Sequence, residues 1–189
     1  MSPFIETYTG QRFMPLSPRV EDVVIADIAH ALSNQCRFSG HTKEHYSVAE
    51  HSVRVARVLE ARGYSPTSQL WGLLHDASEA YLVDLPTPLK SDPTIGHAYR
   101  IAEARIMAVI CQRFDLPIHE PAEVRTADAV LLATEVRDLM AGRPAHWGNG
   151  QITQPPLREK IEPWEPRRAE WAFLQAFGAL QTEIKKEAL

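Results

Sequence analysis

The chain has 189 residues, of which 44% are hydrophobic and 23% charged, and its formal net charge is −4. This is the composition of a globular chain that can enclose a hydrophobic core, and we expect one domain over residues 1–189. The net negative charge argues against duplex nucleic acid or an anionic membrane as a partner, and no apolar run approaches the roughly 20 residues that span a bilayer. A small phosphate-bearing ligand stays compatible, because a local basic cluster or a metal ion outweighs a mild global charge.

The N-terminus and the cysteines predict a cytoplasmic protein. The first residues lack the basic region and the apolar run of a signal peptide. The two cysteines, Cys36 and Cys111, are far apart and outside any C-x-x-C pattern. We therefore expect two reduced, partly buried thiols rather than a disulfide.

The first half of the chain reads as a possible small hairpin followed by helices. Residues 4–8 and 11–14 flank Thr9-Gly10 and could pair as two short strands. An apolar stripe predicts a helix within residues 21–33. Ser47, with Glu50 three residues later, is typical of a capping box and predicts the start of the next helix. A third helix is expected to follow Ser65-Pro66 and to end before Pro86.

The second half continues the helical pattern around one long loop. Long amphipathic helices are predicted at residues 97–114 and 121–140, and a Pro- and Gly-rich loop at 144–166. The last helix should begin at about Arg167, with Trp171, Leu174 and Phe177 on its apolar stripe. The predicted fold class is an all-α bundle, with a possible N-terminal hairpin.

Polar residues interrupt three of the predicted apolar stripes. His51, the pair His75-Asp76, and Asp128 stand where the core should be. A buried carboxylate is costly unless it is paired or binds a metal. Imidazole and carboxylate ligands suit divalent transition metals, and the absence of thiolates argues against a Cys-type zinc site. Each residue also has a simpler explanation, such as a hydrogen-bonded core histidine or a pairing of Asp128 with Arg125.

The order His51, His75-Asp76, Asp128 resembles the H…HD…D signature of the HD-domain superfamily of metal-dependent phosphohydrolases. The run "HDASEAYLVDLPTPLK", residues 75–90, is similar to that of bacterial 5′-deoxynucleotidases, which share HD-A-S-E…D-L-P-T-P-x-K. The similarity extends over about residues 27–139. It implies an HD-domain helical bundle in which these four residues bind one divalent ion: Zn, Co, Mn, Fe, Ni or Mg.

The same resemblance implies roles for five further residues. Glu79 would position or deprotonate the attacking water, and Asp84 would face the sugar or assist proton transfer. Lys90 would neutralise phosphate charge. Arg37 and Phe38 match by type an arginine and an aromatic residue that contact phosphate and sugar. The nucleotidases carry tryptophan where this chain has Phe38, and residues 39–46 look inserted.

Several nearby residues keep open alternatives. His41 and His45 could reach the pocket or be exposed. Glu135 could orient a metal ligand or pair with Arg137. Trp147, in the long loop, could cover a nucleobase.

The resemblance implies hydrolysis at the α-phosphorus of a nucleotide, and the leading expectation is a 5′-deoxynucleotidase that releases phosphate from deoxynucleoside monophosphates. An alternative is a dNTP triphosphohydrolase that converts dATP to deoxyadenosine and triphosphate. A hypothesis of another class is a non-catalytic nucleotide-binding module with a structural metal. The stripe of the final helix also suggests a possible homodimer.

Overall fold

A computed structural model describes residues 3–142, 147, 150 and 152–188 of the chain. In these ranges the fold is mostly helical, with one two-stranded antiparallel sheet, as the sequence predicts. The strands are β1 (Ile5–Glu6) and β2 (Arg12–Phe13). The helices are α1 (Ile25–Asn34), α2 (Val48–Ala61), α3 (Pro66–Leu74), α4 (Glu79–Leu82), α5 (Thr87–Lys90), α6 (Ile95–Arg113), α7 (Ala122–Leu139) and α8 (Pro166–Glu187).

The predicted hairpin is present and is tied to the helical bundle. Ile5 pairs with Phe13 in an antiparallel register. The buried carboxylate of Asp27 on α1 accepts hydrogen bonds from the hydroxyls of Thr7 and Thr9 and from the Thr9 backbone N–H. The ring of Phe13 stacks on Tyr81 of α4 with 3.7 Å between centroids. The hairpin therefore fixes α4 against α1.

Helix α2 is the centre of the bundle, since it packs against α1, α3, α7 and α8. Ser47 caps its N-terminus by accepting the backbone N–H of Glu50, which is one half of the predicted capping box. Buried apolar side chains from α2 itself, from five other helices and from the loop before α2 form the core: Leu32, Tyr46, Val55, Leu59, Leu70, Leu74, Ile106, Leu131 and Phe173. The polar side chains of Glu50, His51 and Ser52 on α2 are therefore fully buried in a close-packed core.

The third predicted helix is wrong in its length. It ends at Leu74, and residues 75–78 form tight turns before the short helix α4 begins. Backbone bonds there close over three residues, as from Ala77 N to Leu74 O and from Glu79 N to Asp76 O. The tight turns include the His75-Asp76 pair. The pair therefore lies just after the end of a helix rather than within one.

The predicted stripe of the last helix is also partly wrong. Trp171 is 64% exposed, while Leu174 and Phe177 pack against the core and Phe173 is fully buried. The face of α8 that meets the bundle is therefore rotated from the predicted one. Within the described residues, every helix is too short or too polar to cross a membrane.

The remaining expectations concern the loop and the thiols. Part of the predicted loop at 144–166 lies outside the described residues, and residues 152–165 contain no helix or strand. Cys36 is half-buried and Cys111 is buried, and both are free thiols.

Candidate metal centre

Two histidines and one aspartate meet where α2 faces the end of α3. His51 lies in the first turn of α2, and His75 and Asp76 directly follow α3. The Nε2 atoms of the two histidines are 3.3 Å apart. Oδ2 of Asp76 lies 3.2 Å from Nε2 of His75 and 3.8 Å from Nε2 of His51. The three side chains form a group that could hold one metal ion.

The other nitrogen of each imidazole is already engaged. Nδ1 of His51 lies 2.6 Å from Oε1 of Glu135, and Nδ1 of His75 lies 2.8 Å from the carbonyl oxygen of Gly72. A carboxylate and a carbonyl only accept hydrogen bonds, so both Nδ1 atoms carry the proton and donate. In the neutral rings both Nε2 atoms then present lone pairs, and these lone pairs face each other.

This donor set fits a divalent cation. Two opposed lone pairs and a carboxylate oxygen repel one another unless a positive charge lies between them. Ligand atoms that bind one ion at about 2.0–2.2 Å are separated by roughly 3–3.5 Å, close to the separations observed. Hydrogen bonds from Nδ1 to Glu135 and to a backbone carbonyl are the partners that orient metal-bound histidines.

The electrostatics of the group are dominated by acidic neighbours. Burial lowers the pKa of His75, but Asp76 reverses this and raises it to about 10. Burial and Arg37 lower the pKa of His51, and Glu135 and Asp128 raise it above its usual value. Burial alone would raise the pKa of Asp76, but the histidines hold it well below its ordinary range. The cluster therefore favours positive charge at its centre.

Asp128, the fourth predicted ligand, lies beside this group. Its Oδ1 is 3.2 Å from Nε2 of His51, but it does not belong to the group of three, and its side chain is 42% exposed. The expectation that Asp128 is buried on the stripe of α7 is therefore wrong. Its side chain reaches the open side of the cluster, and its role as a ligand stays a prediction.

Glu135 orients His51 rather than pairing with Arg137. Its buried carboxylate binds Nδ1 of His51 with one oxygen and Nη2 of Arg37, 3.1 Å away, with the other. Arg137 instead donates to Asp138. Of the two alternatives left open by the sequence, the structure therefore favours contact of Glu135 with His51 over a pairing with Arg137.

Arg37 lies at the edge of the cluster because the loop before α2 is closed at its base. An isolated antiparallel bridge joins Cys36 to Ser47, and Arg37 N–H donates to the Tyr46 carbonyl. Nη1 of Arg37 is 3.4 Å from Oδ2 of Asp76. Burial lowers the pKa of this guanidinium, but the carboxylates of Glu135 and Asp76 raise it overall.

Arg37 also keeps an unused donor. Its Nε is buried and has no hydrogen-bond partner among the described residues. Buried polar atoms are nearly always paired, so an unpaired one beside a cluster of ligand atoms points to a missing acceptor.

Glu79 and Lys90 face each other on the next side. Glu79 is only 2% exposed, and its Oε1 accepts a hydrogen bond of 3.0 Å from Lys90 Nζ, which also binds Glu103. Its Oε2 is buried without a partner among the described residues. Burial raises the pKa of Glu79 to about 8, Asp76 and Asp84 act in the same direction, and Lys90 opposes them.

The elbow that carries Asp84 is strained and firmly held. Val83, a β-branched residue, has φ +76°, which side chains of this type rarely adopt. Its carbonyl accepts the Tyr99 hydroxyl at 2.6 Å. Gln35 donates to the Glu79 carbonyl and accepts the Asp84 N–H, so it joins both ends of α4. The half-buried Asp84 side chain lies near enough to Glu79 to raise the pKa of that group.

Close packing fixes the position of Lys90. The carbonyl of Lys90 accepts a hydrogen bond from the Arg100 guanidinium. Helix α6 approaches this carbonyl at Gly96, where any side chain would collide with it. The main chain that carries the lysine is thus held from two sides, while its side chain reaches Glu79.

Two aromatic rings lie near Arg37. Phe38 is half-buried, and its ring meets the ring of Trp147 edge-on with centroids 5.8 Å apart. The Arg37 guanidinium lies 5.4 Å from the Phe38 ring. The structure thus brings Trp147 next to the Arg37-Phe38 pair, although it lies far from them in sequence. His41 and His45 are exposed, and Nε2 of His45 is 3.3 Å from the Ser33 carbonyl.

Comparison with known proteins identifies relatives in two bacteria. No known protein-family profile matches the chain. It is 35% identical over 183 residues to "Uncharacterized protein YfdR" of Escherichia coli K12, which covers 97% of this chain and 98% of the relative. The chain belongs to the YfdR family. It is also 39% identical over 124 residues to "Uncharacterized protein RCAP_rcc00048" of Rhodobacter capsulatus, which covers 63% of this chain and 62% of that relative.

Two residues near the metal centre of this YfdR-family chain, Tyr46 and Glu120, could not be predicted from the sequence pattern. The Tyr46 hydroxyl is buried without a partner among the described residues, and burial and Glu135 raise its pKa. Burial also raises the pKa of Glu120, which is close enough to His75 and Asp128 to interact electrostatically. Both lie in loops outside any periodic pattern, so only the folded chain shows that they are near the site.

Proposed function

We propose that this member of the YfdR family is an HD-type, metal-dependent phosphohydrolase that attacks the α-phosphorus of deoxynucleotides and acts as a 5′-deoxynucleotidase. One observation carries the proposal. The Nε2 atoms of His51 and His75 face each other at 3.3 Å beside Asp76, and both Nδ1 protons are already donated. The resemblance of residues 75–90 to bacterial 5′-deoxynucleotidases gives the reaction and the substrate class.

His51, His75 and Asp76 would hold the divalent cation, and Asp128 would complete the set from the open side. When bound, the cation supplies Lewis acidity toward a phosphoryl oxygen and lowers the pKa of water. The carboxylate of Glu135 keeps His51 in the tautomer that binds metal.

Arg37 would bind the phosphate of the substrate. Its buried Nε has no acceptor among the described residues, and its other nitrogens are held by Asp76 and Glu135. A guanidinium fixed in this way presents a donor to a phosphoryl oxygen without further ordering. Phe38 lies directly beside it and would pack against the sugar.

Glu79 would accept a proton from the attacking water at Oε2, the buried oxygen that lacks a partner. Lys90 binds the opposite oxygen and thereby fixes the carboxylate. The water oxygen would then form a bond to phosphorus while the bond between phosphorus and the 5′ oxygen breaks. The proton taken up by Glu79 would pass to the leaving 5′ oxygen, which yields a deoxynucleoside and phosphate. Lys90 and Asp84 both lie near Glu79. Lys90 would neutralise charge on the phosphate, and Asp84 would face the sugar or assist proton transfer.

Matched substitutions and a product assay test the proposal. Asp76→Asn should remove both bound metal and turnover, whereas Glu79→Gln should remove turnover and keep the metal. Asp115→Asn and Glu183→Gln change exposed residues of the same types and should leave both unchanged. Metal content by elemental analysis and product formation by anion-exchange chromatography give the two measurements.

The substrates separate the possible functions. Protein reloaded with Co, Mn, Zn or Mg would be incubated separately with dAMP, AMP, dATP and dGTP. Release of phosphate from dAMP but from none of the other substrates would support a deoxynucleotidase. Release of intact triphosphate from dATP would instead show that the protein is a triphosphohydrolase. Full activity and full metal content in Asp76→Asn would refute the site, and no product from any substrate would favour a non-catalytic binding module.

A further inference from the structure

Three guanidinium groups surround one tryptophan beside α2, outside the metal centre. The guanidinium carbons of Arg54, Arg57 and Arg168 lie 4.9, 5.0 and 4.9 Å from the centroid of the Trp164 ring. We call these four residues the Trp164 cluster. An indole has two faces, so at least two of the three cations share a face, and any two lie within about 10 Å of each other because both are near one centroid.

Within the described residues, only Arg54 donates hydrogen bonds to a buried carboxylate, although the charge of that carboxylate, Glu50, also acts on Arg57 and Arg168. Arg54 donates twice to Oε1 of Glu50, at 2.9 and 2.7 Å, and once to the Glu162 carbonyl. The other oxygen of Glu50 accepts the backbone N–H of Trp164 at 2.7 Å. Both carboxylate oxygens of Glu50 therefore accept hydrogen bonds, one from Arg54 and the other from the backbone at Trp164.

Arg57 and Arg168 have no such partner. Within the described residues, neither guanidinium donates a hydrogen bond or forms a salt bridge, and both side chains are exposed to solvent. Burial lowers the pKa of Arg57, and the like charges of Arg54 and Arg168 act in the same direction, while Glu60 and Glu50 oppose them. Two forks of N–H donors are thus crowded together without acceptors.

The start of α8 adds to the positive potential. Arg168 lies in the first turn of this 22-residue helix, and that turn contains no acidic residue. The side chain of the capping residue Glu165 makes no cap hydrogen bond. The N-terminus of a helix carries partial positive charge, so a cation is unfavourable there and an anion is favourable. The placement of Arg168 is therefore difficult to explain by helix stability.

We propose that Arg57 and Arg168 form a binding site for a phosphate-bearing anion, separate from the metal centre. Guanidinium groups match the oxygens of phosphate groups with paired hydrogen bonds, and an arginine pair can hold a group of two or more negative charges between them. Trp164 supports both side chains from one ring, which orders them before binding. The site does not depend on the proposed hydrolysis, because none of its residues touches the metal centre.

The indole N–H of Trp164 offers a local measurement of binding. In an ¹⁵N-labelled sample of the full chain, the four tryptophans give separate indole signals, and a Trp164→Phe variant assigns the relevant one. Inorganic tripolyphosphate and dATP would be titrated separately at constant ionic strength, with a chelator present to prevent turnover. A tighter response to one of them distinguishes a free polyphosphate from a nucleotide as the source of the phosphate.

The expected result is a saturable shift of the Trp164 signal. Arg57→Gln with Arg168→Gln should weaken this binding at least about tenfold, whereas the control Arg105→Gln with Lys185→Gln removes the same charge from exposed positions elsewhere and should keep it. A shift that does not saturate, or that sodium chloride reproduces, would overturn the proposal. So would unchanged affinity in the double variant, or in Arg168→Gln alone if the double variant fails to fold.

Discussion

Helix α2 connects two charged clusters that begin at neighbouring residues. His51 belongs to the metal centre, where acidic groups from α7 and from the turn after α3 meet two imidazoles. Glu50 binds Arg54 of the Trp164 cluster, where arginines from α2 and α8 surround an indole. One cluster has an excess of acceptors and the other an excess of donors.

The difference between the clusters teaches how a chain of mild net charge can bind opposite ions. Formal charge over the whole chain is −4, and neither cluster is visible in that total. Because successive residues of a helix point about 100° apart, Glu50 and His51 send their side chains to different sides of the bundle. Within the described residues no side-chain hydrogen bond or ion pair joins the two clusters, so we expect them to respond independently to substitution.

The largest expected effect is on stability, from Glu50→Gln. The substitution leaves Arg54 without its buried counter-charge, and breaking such a pair from one side typically costs about 3 kcal/mol. Urea unfolding should show this loss, while metal content should stay unchanged. Glu60→Gln, on the exposed side of the same helix, is the control. A loss of metal in Glu50→Gln would show that the clusters are coupled.

A smaller effect is expected for Glu135→Gln. The amide no longer carries the charge that balances Arg37 and fixes the Nδ1 proton of His51. Loss of such an outer partner weakens metal binding by about 10–100-fold. Competition with a chromophoric chelator measures this affinity, and Glu123→Gln on the same helix serves as the control. Unchanged affinity would mean that the orientation of His51 does not depend on the carboxylate.

The smallest expected effect is for Lys90→Met. Lys90 lowers the pKa of Glu79, so its removal raises that pKa, and less of the carboxylate is ionised at neutral pH. Activity that requires ionised Glu79 should fall about tenfold at pH 7, and its rise with pH should move to higher pH. Rate–pH profiles test this. Glu103→Gln removes the other partner of Lys90 and should keep the original profile; an unmoved profile in Lys90→Met would assign the lysine to phosphate contact alone.

Local patterns in the sequence predicted the framework of the metal centre. Ser47 does cap α2 as expected, and this places His51 on the buried face of the helix. The second half of the predicted capping box was misleading, because the side chain of Glu50 reaches Arg54 instead of the backbone of its own helix.

The features that the sequence left open or missed depend on contacts between distant segments. The role of Glu135 was left open because it lies 84 positions after His51, and only the packing of α7 on α2 brings the two residues together. The break after Leu74 replaces a helix that the periodicity continued. The exposed Trp171 shows that a large apolar side chain does not define the buried face of a helix.

The turn that carries Phe38 limits how this region can vary among relatives. Phe38, Ser39 and Gly40 have φ values of +54°, +52° and +79°, so three successive residues adopt the left-handed conformation. Only glycine does so freely, and asparagine and aspartate do so at low cost. Substitutions tolerated at position 39 should therefore be drawn from that small group, and a β-branched residue there would displace the aromatic ring beside Arg37. In evolutionary terms, the turn would constrain the backbone conformation of family members at residues 38–40 more strongly than the chemistry of their side chains.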